Sequence, residues 1–303
     1  MQVTPFLDSD VRLGRAIALI GAGAGKYPYA TSMLVHGSDE VVLIDPSLEV
    51  VERGGAPLTV DRMMVSHAHE DHLAGVGVFP DATICAHSDD LLGLHSLDGL
   101  MAVYGMPAQV QTTWRRQVEM DFHYTPRPDA TAFEDGHAFD LGGGLRIEVV
   151  HLPGHTRGHC GFLVEPDGVF YVADIDLTGF GPYYGDHWSD LEDFERSIAR
   201  CRTIDAAHYV TSHHKGIFSD RGEFVGQLDT FGAAIGRRDT NLLAYLAEPR
   251  TIDDVVAHGF IYRPENKPMF AEHVERTSMS MHLRRLLRSG GVVELEPGRF
   301  RAA

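Results

Sequence analysis

The apolar run MMVSH (63–67) reads as a short buried strand, and the stretch that leaves it constrains the chain more than any other: His67-Ala68-His69-Glu70-Asp71-His72. Three imidazoles and an aspartate fall within six residues. Imidazole is the usual protein ligand for zinc and other borderline metals, and carboxylate completes such sites. A loop leaving a strand end aims alternate side chains to two sides, so His67 and His69 suit one ion while Asp71 and His72 suit a second. With 18 histidines in 303 residues, a solvated loop acquiring this spacing by accident is improbable. Further ligands must come from far along the chain, so the fold has to bring distant strand ends together.

The surrounding pattern supplies such strands. Residues 16–46 alternate apolar runs with turn signals (AIALI, GAGAG, TSMLVHG, SDE, VVLIDP), which predicts a β-meander with a hairpin at Gly37–Glu40. TICAH (83–87) is another strand, and a helix is expected after His72. Residues 88–120 read as a helical insertion. A second strand series follows at 145–152, 161–166 and 168–174, the last two joined by a turn at Pro166-Asp167-Gly168. Ser189, with Glu192 three residues on, predicts a capping box opening an amphipathic helix over 189–204. HYVTSHH (208–214) is a further strand. Two halves of strands followed by helices predict an α/β fold, a four-layer sandwich with two facing sheets and helices outside. From about Asn241 the pattern changes to a short helix, a longer one ending at Gly290-Gly291, and a hairpin turned at Pro297-Gly298. That order resembles a winged-helix module, and the division is drawn at 1–238 and 239–303.

His-x-His-x-Asp-His after a strand resembles the signature of the metallo-β-lactamase-like hydrolases, and four more segments match that family's pattern in order. VVLIDPS (41–47) resembles the strand ending in a buried aspartate beneath the metals, here Asp45. HLPGHTRGHC (151–160) is similar to the Pro-Gly-His-Thr-x-Gly-His loop of hydroxyacylglutathione hydrolases and supplies His155. FYVADIDL (170–177) matches the strand ending in a bridging carboxylate, Asp174, and YVTSHHKG (209–216) the strand that delivers the last histidine. The resemblance implies one metal on His67, His69 and His155 and a second on Asp71, His72 and His213, with Asp174 between them. It implies two divalent ions, zinc first, with iron or manganese as alternatives. The family's last motif commonly reads Gly-His-Gly, whereas here it is Ser212-His213-His214-Lys215-Gly216; His213 ends the apolar strand and is preferred, with His214 the alternative.

The chemistry explains the ligand set. Water has a pKa of about 15.7, and bound zinc brings it near 7. At about 1.36 kcal/mol per unit that is about 12 kcal/mol, more than one His or Asp base offers. Hydroxide held by two ions, with one ion polarising the scissile carbonyl, predicts hydrolysis of a small ester, thioester or lactone. Asp71 is assigned to orient the nucleophile and carry a proton to the leaving group, which requires that no salt bridge occupy it. The loop 179–187 follows Asp174 and should rim the site; Tyr183 or Tyr184 is a candidate oxyanion donor, with packing as the equal alternative. His151 and His159 are expected to orient ligands, and Cys160 to be a small buried residue.

Charge separates the competing functions. The net charge is −17, yet residues 226–303 hold eleven Lys/Arg against ten Asp/Glu, leaving about −18 on the first 225. Polyphosphate backbones are bound mainly through Lys and Arg. Endoribonuclease or phosphodiesterase action is therefore the second reading, with Arg284, Arg285 and Arg288 its only basic cluster and helix packing preferred for them. A third reading is an iron-dependent sulfur dioxygenase, because such enzymes share several of these ligands. Three scattered cysteines, no apolar run of membrane length and no signal-like N-terminus predict a cytoplasmic protein acting on a small molecule, with a homo-oligomer left open.

Overall fold

The computed structural model describes residues 3–262 and 267–303. Strand periodicity builds its two main sheets. Successive strand side chains leave opposite faces, so Met33, Val35, Val42 and Ile44 meet the second sheet while Leu34 and Leu43 face helices outside. The first sheet runs in order β1 (Val11–Leu13), β2 (Ala16–Leu19), β3 (Ser32–His36), β4 (Val41–Ile44), β5 (Arg62–Val65), β6 (Thr83–His87), β7 (Thr131–Phe133). It is antiparallel to β4 and parallel from there to β7. The second sheet comprises β8 (Ala138–Asp140), β9 (Arg146–His151), β10 (Cys160–Glu165), β11 (Val169–Ala173), β12 (His208–Thr211) and β13 (Ile217–Phe218), in reverse spatial order.

Between the sheets, Met33, Ile44 and Met64 pack against Val149, Phe162 and Tyr171. Outside the first sheet lie Leu94, Leu100, Trp114 and Val118 of the 88–120 segment, which is helical as expected. Outside the second, Phe194 and Cys201 of helix Leu191–Thr203 and Phe224, Leu228 and Phe231 of helix Arg221–Tyr245 cover Phe170 and Tyr209. The four-layer sandwich is thus present. The hairpin at Gly37–Glu40 closes through a Gly37 N to Glu40 O bond of 2.9 Å, and β10 turns into β11 at Gly168, whose φ of 67° suits glycine.

Two local expectations are corrected. The helix expected after His72 begins earlier, at Glu70–Leu73, so Asp71 and His72 sit on a helical turn. The cap of helix Leu191–Thr203 is Asp190, which accepts from the backbone N–H groups of Glu192 and Asp193. Ser189 is drawn away because its hydroxyl donates to His155 O at 2.7 Å.

Helix Arg221–Tyr245 is 25 residues long and runs unbroken across positions 238 and 239, where the sequence pattern divides the chain. Beyond it come β14 (Arg250–Thr251), helix Ile252–His258 opened by a Thr251/Asp254 capping box, helix Ala271–Ser289, β15 (Val292–Glu296) and β16 (Arg299–Ala302). The tail strands form one sheet in the order β14-β16-β15 around Leu242, Leu246, Val255, Met279 and Leu283. The expected two helices and hairpin are there, and the hairpin is extended by one strand.

Candidate metal centre

The candidate ligands sit past the ends of strands, with Asp71 and His72 on the helical turn Glu70–Leu73. His67 and His69 follow β5, His155 lies between β9 and β10, Asp174 follows β11 and His213 follows β12. Two groups form. His155 Nε2 is 3.2 Å from His67 Nε2 and 2.9 Å from His69 Nδ1, and those two are 3.1 Å apart. His213 Nε2 is 3.2 Å from Asp71 Oδ2, and His72 Nε2 is 3.8 Å from the same oxygen. Asp174 stands between them: Oδ2 is 3.3 Å from His155 Nε2, while Oδ1 is 3.0 Å from His72 Nε2 and 3.6 Å from His213 Nε2. All but Asp174 are buried.

Each imidazole is held by its other nitrogen. His67 Nδ1 pairs with Ser66 Oγ (2.9 Å), His69 Nε2 with Asp186 Oδ2 (2.9 Å), and His155 Nδ1 with Tyr183 O (3.0 Å). His72 Nδ1 pairs with Asp45 Oδ2 (2.8 Å) and His213 Nδ1 with Gly25 O (2.8 Å). A ring nitrogen that donates outward leaves the other with a lone pair facing in. Asp45 is the hub beneath: its buried carboxylate also accepts from Ser66 N and Oγ and from the Tyr171 hydroxyl. Asp90 ties two ligand loops together, accepting from Ala68 N, Thr156 Oγ1 and Gly158 N.

These residues fit a pair of cations. Among the described residues His72 Nε2 is buried with no partner that meets hydrogen-bond geometry, and Asp174 Oδ1 lies 3.0 Å from it. Three inward nitrogens at 2.9–3.2 Å cannot all carry protons, so the group His67, His69 and His155 is arranged for an acceptor of lone pairs. Burial opposes ionised Asp174, but His72 and His213 outweigh it and hold its pKa well below the usual carboxylate range. Burial likewise works against positive His69, yet Asp186 overrides it and lifts the imidazole to about 9, so a metal bound there would have to displace a proton from Nδ1.

The two groups form the floor of a cavity of about 350 Å³, walled by Tyr27, Tyr104, Trp114, Tyr183, Tyr262 and Phe270 among others. The last of these come from the tail, which therefore completes the pocket.

The sequence pattern of the metallo-beta-lactamase superfamily matches residues 28–213, well over half of the chain. The chain belongs to that superfamily. It is a metal-dependent hydrolase. An atrochrysone carboxyl ACP thioesterase of Cryptosporiopsis sp. is 22% identical over 265 residues, covering 84% of this chain and 70% of that one. A hydroxyacylglutathione hydrolase of Methylococcus capsulatus is 25% identical over 246 residues, covering 77% and 82%. A metallo-beta-lactamase family protein from Thermus thermophilus superposes with a TM-score of 0.71 at 23% identity, over 95% of this chain and 99% of that one. A beta-lactamase domain protein from Burkholderia ambifaria gives 0.68 at 18% identity, over 99% and 97%.

Within this metallo-beta-lactamase fold, the structure gathers His67, His69, Asp71, His72, His155, Asp174 and His213. His213 is the histidine that joins Asp71 and His72, while His214 lines the cavity outside the donor groups found among the described residues. Asp71 meets only His72 and His213 among its ion-pair contacts, with no Lys or Arg among the described residues. His159 Nε2 accepts from Asp174 N at 3.2 Å, the orienting role expected, whereas His151 stacks on His87 away from the ligands. Cys160 is buried, and burial pushes its thiol pKa up. Tyr183 lines the cavity, its phenol kept protonated by burial and by Asp186. Tyr184 is corrected: it is buried, and its hydroxyl meets Arg238 Nη1 (2.7 Å) and His282 (2.9 Å) under the tail helix, so it serves packing. Asp186 and Asp90, which hold candidate ligands and their loops, are not singled out by motif spacing, and the sequence marks Ser189 only as a helix cap.

Proposed function

We propose that the protein hydrolyses a small ester, thioester or lactone with two divalent ions, most simply zinc. The observation that carries this reading is Asp174, whose two oxygens face two separate groups of inward-pointing ligands at the floor of one cavity. His67, His69 and His155 would hold one ion, and Asp71, His72 and His213 the other. Bound there, such ions supply a nucleophile from water at neutral pH and polarise a carbonyl oxygen. The chain's own residues do the rest. Asp45, Asp186, Tyr183 O and Gly25 O keep protons on the outward nitrogens of His72, His69, His155 and His213. Asp71 Oδ accepts the proton of the attacking water and passes it to the leaving group. The Tyr183 hydroxyl lines the cavity and donates to Asp186 Oδ1 at 3.3 Å; it would have to turn from that carboxylate to donate to a developing oxyanion.

Relatives named as a thioesterase and a hydroxyacylglutathione hydrolase support the acyl-transfer class. RNA cleavage is less supported. Arg285 is paired with Glu195 at 2.9 Å and Arg288 with Glu192, so two members of the tail's basic cluster are engaged on the body. Metal analysis of protein purified without added metal, together with turnover of thioesters, lactones and short RNA, tests the proposal. Two zinc per chain with thioester or lactone turnover and intact RNA is expected. One iron per chain with oxygen uptake would replace it by the dioxygenase reading.

A further inference from the structure

The cavity wall is an ordered track of rings. Tyr104 stacks on His69 with centroids 5.5 Å apart and planes 10° from parallel, so the track begins on a residue of the floor. Tyr104 then meets Trp114 edge-on at 5.9 Å, Trp114 meets Phe270 at 5.4 Å and 70°, and Phe270 meets Tyr262 at 6.4 Å and 71°. Tyr262 meets Phe180 at 5.8 Å, and Phe180 is 41% exposed at the mouth. Five rings from three parts of the chain thus lead from the floor to solvent. The helical insertion gives Tyr104 and Trp114, the loop after Asp174 gives Phe180, and the tail gives Tyr262 and Phe270.

The charges that line the cavity beside this track are of one sign; Arg238, whose guanidinium lies 5.6 Å from the Phe180 ring centroid, is buried and engaged by Phe180 O, Pro182 O and the Tyr184 hydroxyl. Away from the candidate ligands, Glu70, Asp176 and Asp186 face the cavity, and among the described residues no Lys or Arg lines it. Glu70 is engaged by the hydroxyls of Tyr27 (2.9 Å) and Tyr104 (2.5 Å), which fixes the wall rather than offering a cation. A substrate carboxylate lying along the track would find carboxylates and ring faces, both of which repel it. A flat uncharged ring would find edges and faces at the spacing that aromatic pairs prefer.

We infer that the acyl group accepted here is uncharged and ring-bearing, laid along Tyr104, Trp114, Phe270 and Tyr262 with its carbonyl at the ligand floor. This rests on the hydrolase reading above and adds the substrate class to it. Each edge-to-face contact contributes about a 2- to 12-fold preference, so two such contacts favour a phenylacetyl over an acetyl group by about 5- to 150-fold.

The zinc-loaded full chain is assayed on phenylacetyl, acetyl and succinyl thioesters of one neutral thiol. The inference expects kcat/KM to fall in that order, and Trp114→Leu and Phe270→Leu to shrink the phenylacetyl advantage mainly through KM. A succinyl thioester hydrolysed as well as the phenylacetyl one overturns it. Binding of the matching amides, which are not cleaved, is read by Trp114 fluorescence in a Trp188→Phe background. If no thioester turns over, the hydrolase reading fails, and the amides still decide the acyl preference: tighter phenylacetyl than succinyl binding upholds it, and the reverse sinks it.

Discussion

Replacing Asp186 by alanine removes the carboxylate that holds His69 Nε2 at 2.9 Å, a pair with both members buried. Hydrogen bonds to charged groups are worth about 1.5–3 kcal/mol, and at about 1.4 kcal/mol per tenfold this is about 10- to 150-fold. Losses on removing the partner of a ligating histidine are about 10- to 100-fold in metal affinity, which agrees. Without Asp186 the ring proton is free to sit on Nδ1, the atom that faces His67 and His155. The first ion should therefore weaken by about 10- to 100-fold while the second, on Asp71, His72 and His213, changes little. A two-site zinc titration against a competing chelator separates the two steps. Asp186→Asn, which keeps an acceptor, should lie between the wild type and the alanine variant. Equal weakening at both sites, or none at either, would show that His69 is not held for a metal by Asp186.

Asp71→Asn should lower kcat by about 10²–10⁴-fold; a variant with full turnover and full metal content would remove Asp71 from proton transfer. Tyr184→Phe strands Arg238 and His282, both buried, and should cost about 1–3 kcal/mol in denaturant melts. Tyr183→Phe should instead lower kcat more than Tyr184→Phe does, and the opposite ranking would exchange their roles. A methyl group on Gly185 would lie 2.4 Å from Val274 Cγ1, so Gly185→Ala should push the 179–187 loop off the tail helix and weaken the first ion along with stability. Zinc at about 100 times its Kd should add about 2.7 kcal/mol of stability, seen as a rise of roughly 5 °C in Tm. A chelator should reverse it, and a melting temperature indifferent to both would argue against a folded-state metal site.

Much of the architecture was legible because it depends on local alternation. Met33-Leu34-Val35 and Val42-Leu43-Ile44 carry the period of two that assigns each side chain to a layer. The candidate ligands could be picked out for a different reason: His67 to His72 are contiguous, and the later ones fall in motifs that resemble a known order. What stayed hidden depends on the path of loops. Tyr183 and Tyr184 are adjacent in a segment without periodicity, so nothing in the sequence says which hydroxyl faces the cavity. Ser189 and Asp190 are both competent helix caps, and a distant carbonyl, His155 O, decides between them. Asp186 reaches His69 117 residues away and Asp90 reaches partners at least 22 residues away, separations that no short motif encodes.

Helix Arg221–Tyr245 carries Arg238, which donates to Phe180 O, Pro182 O and the Tyr184 hydroxyl, and Leu242, four residues on, in the core of the tail. One rigid rod is thus shared by the loop that steadies His69 and His155 and by the unit that supplies Tyr262 and Phe270. Anyone grafting this tail onto another catalytic body, or trimming it away, has to move the whole rod with its guanidinium, because a cut at residue 238 or 239 severs the substrate wall and unseats the ligand loop in the same stroke.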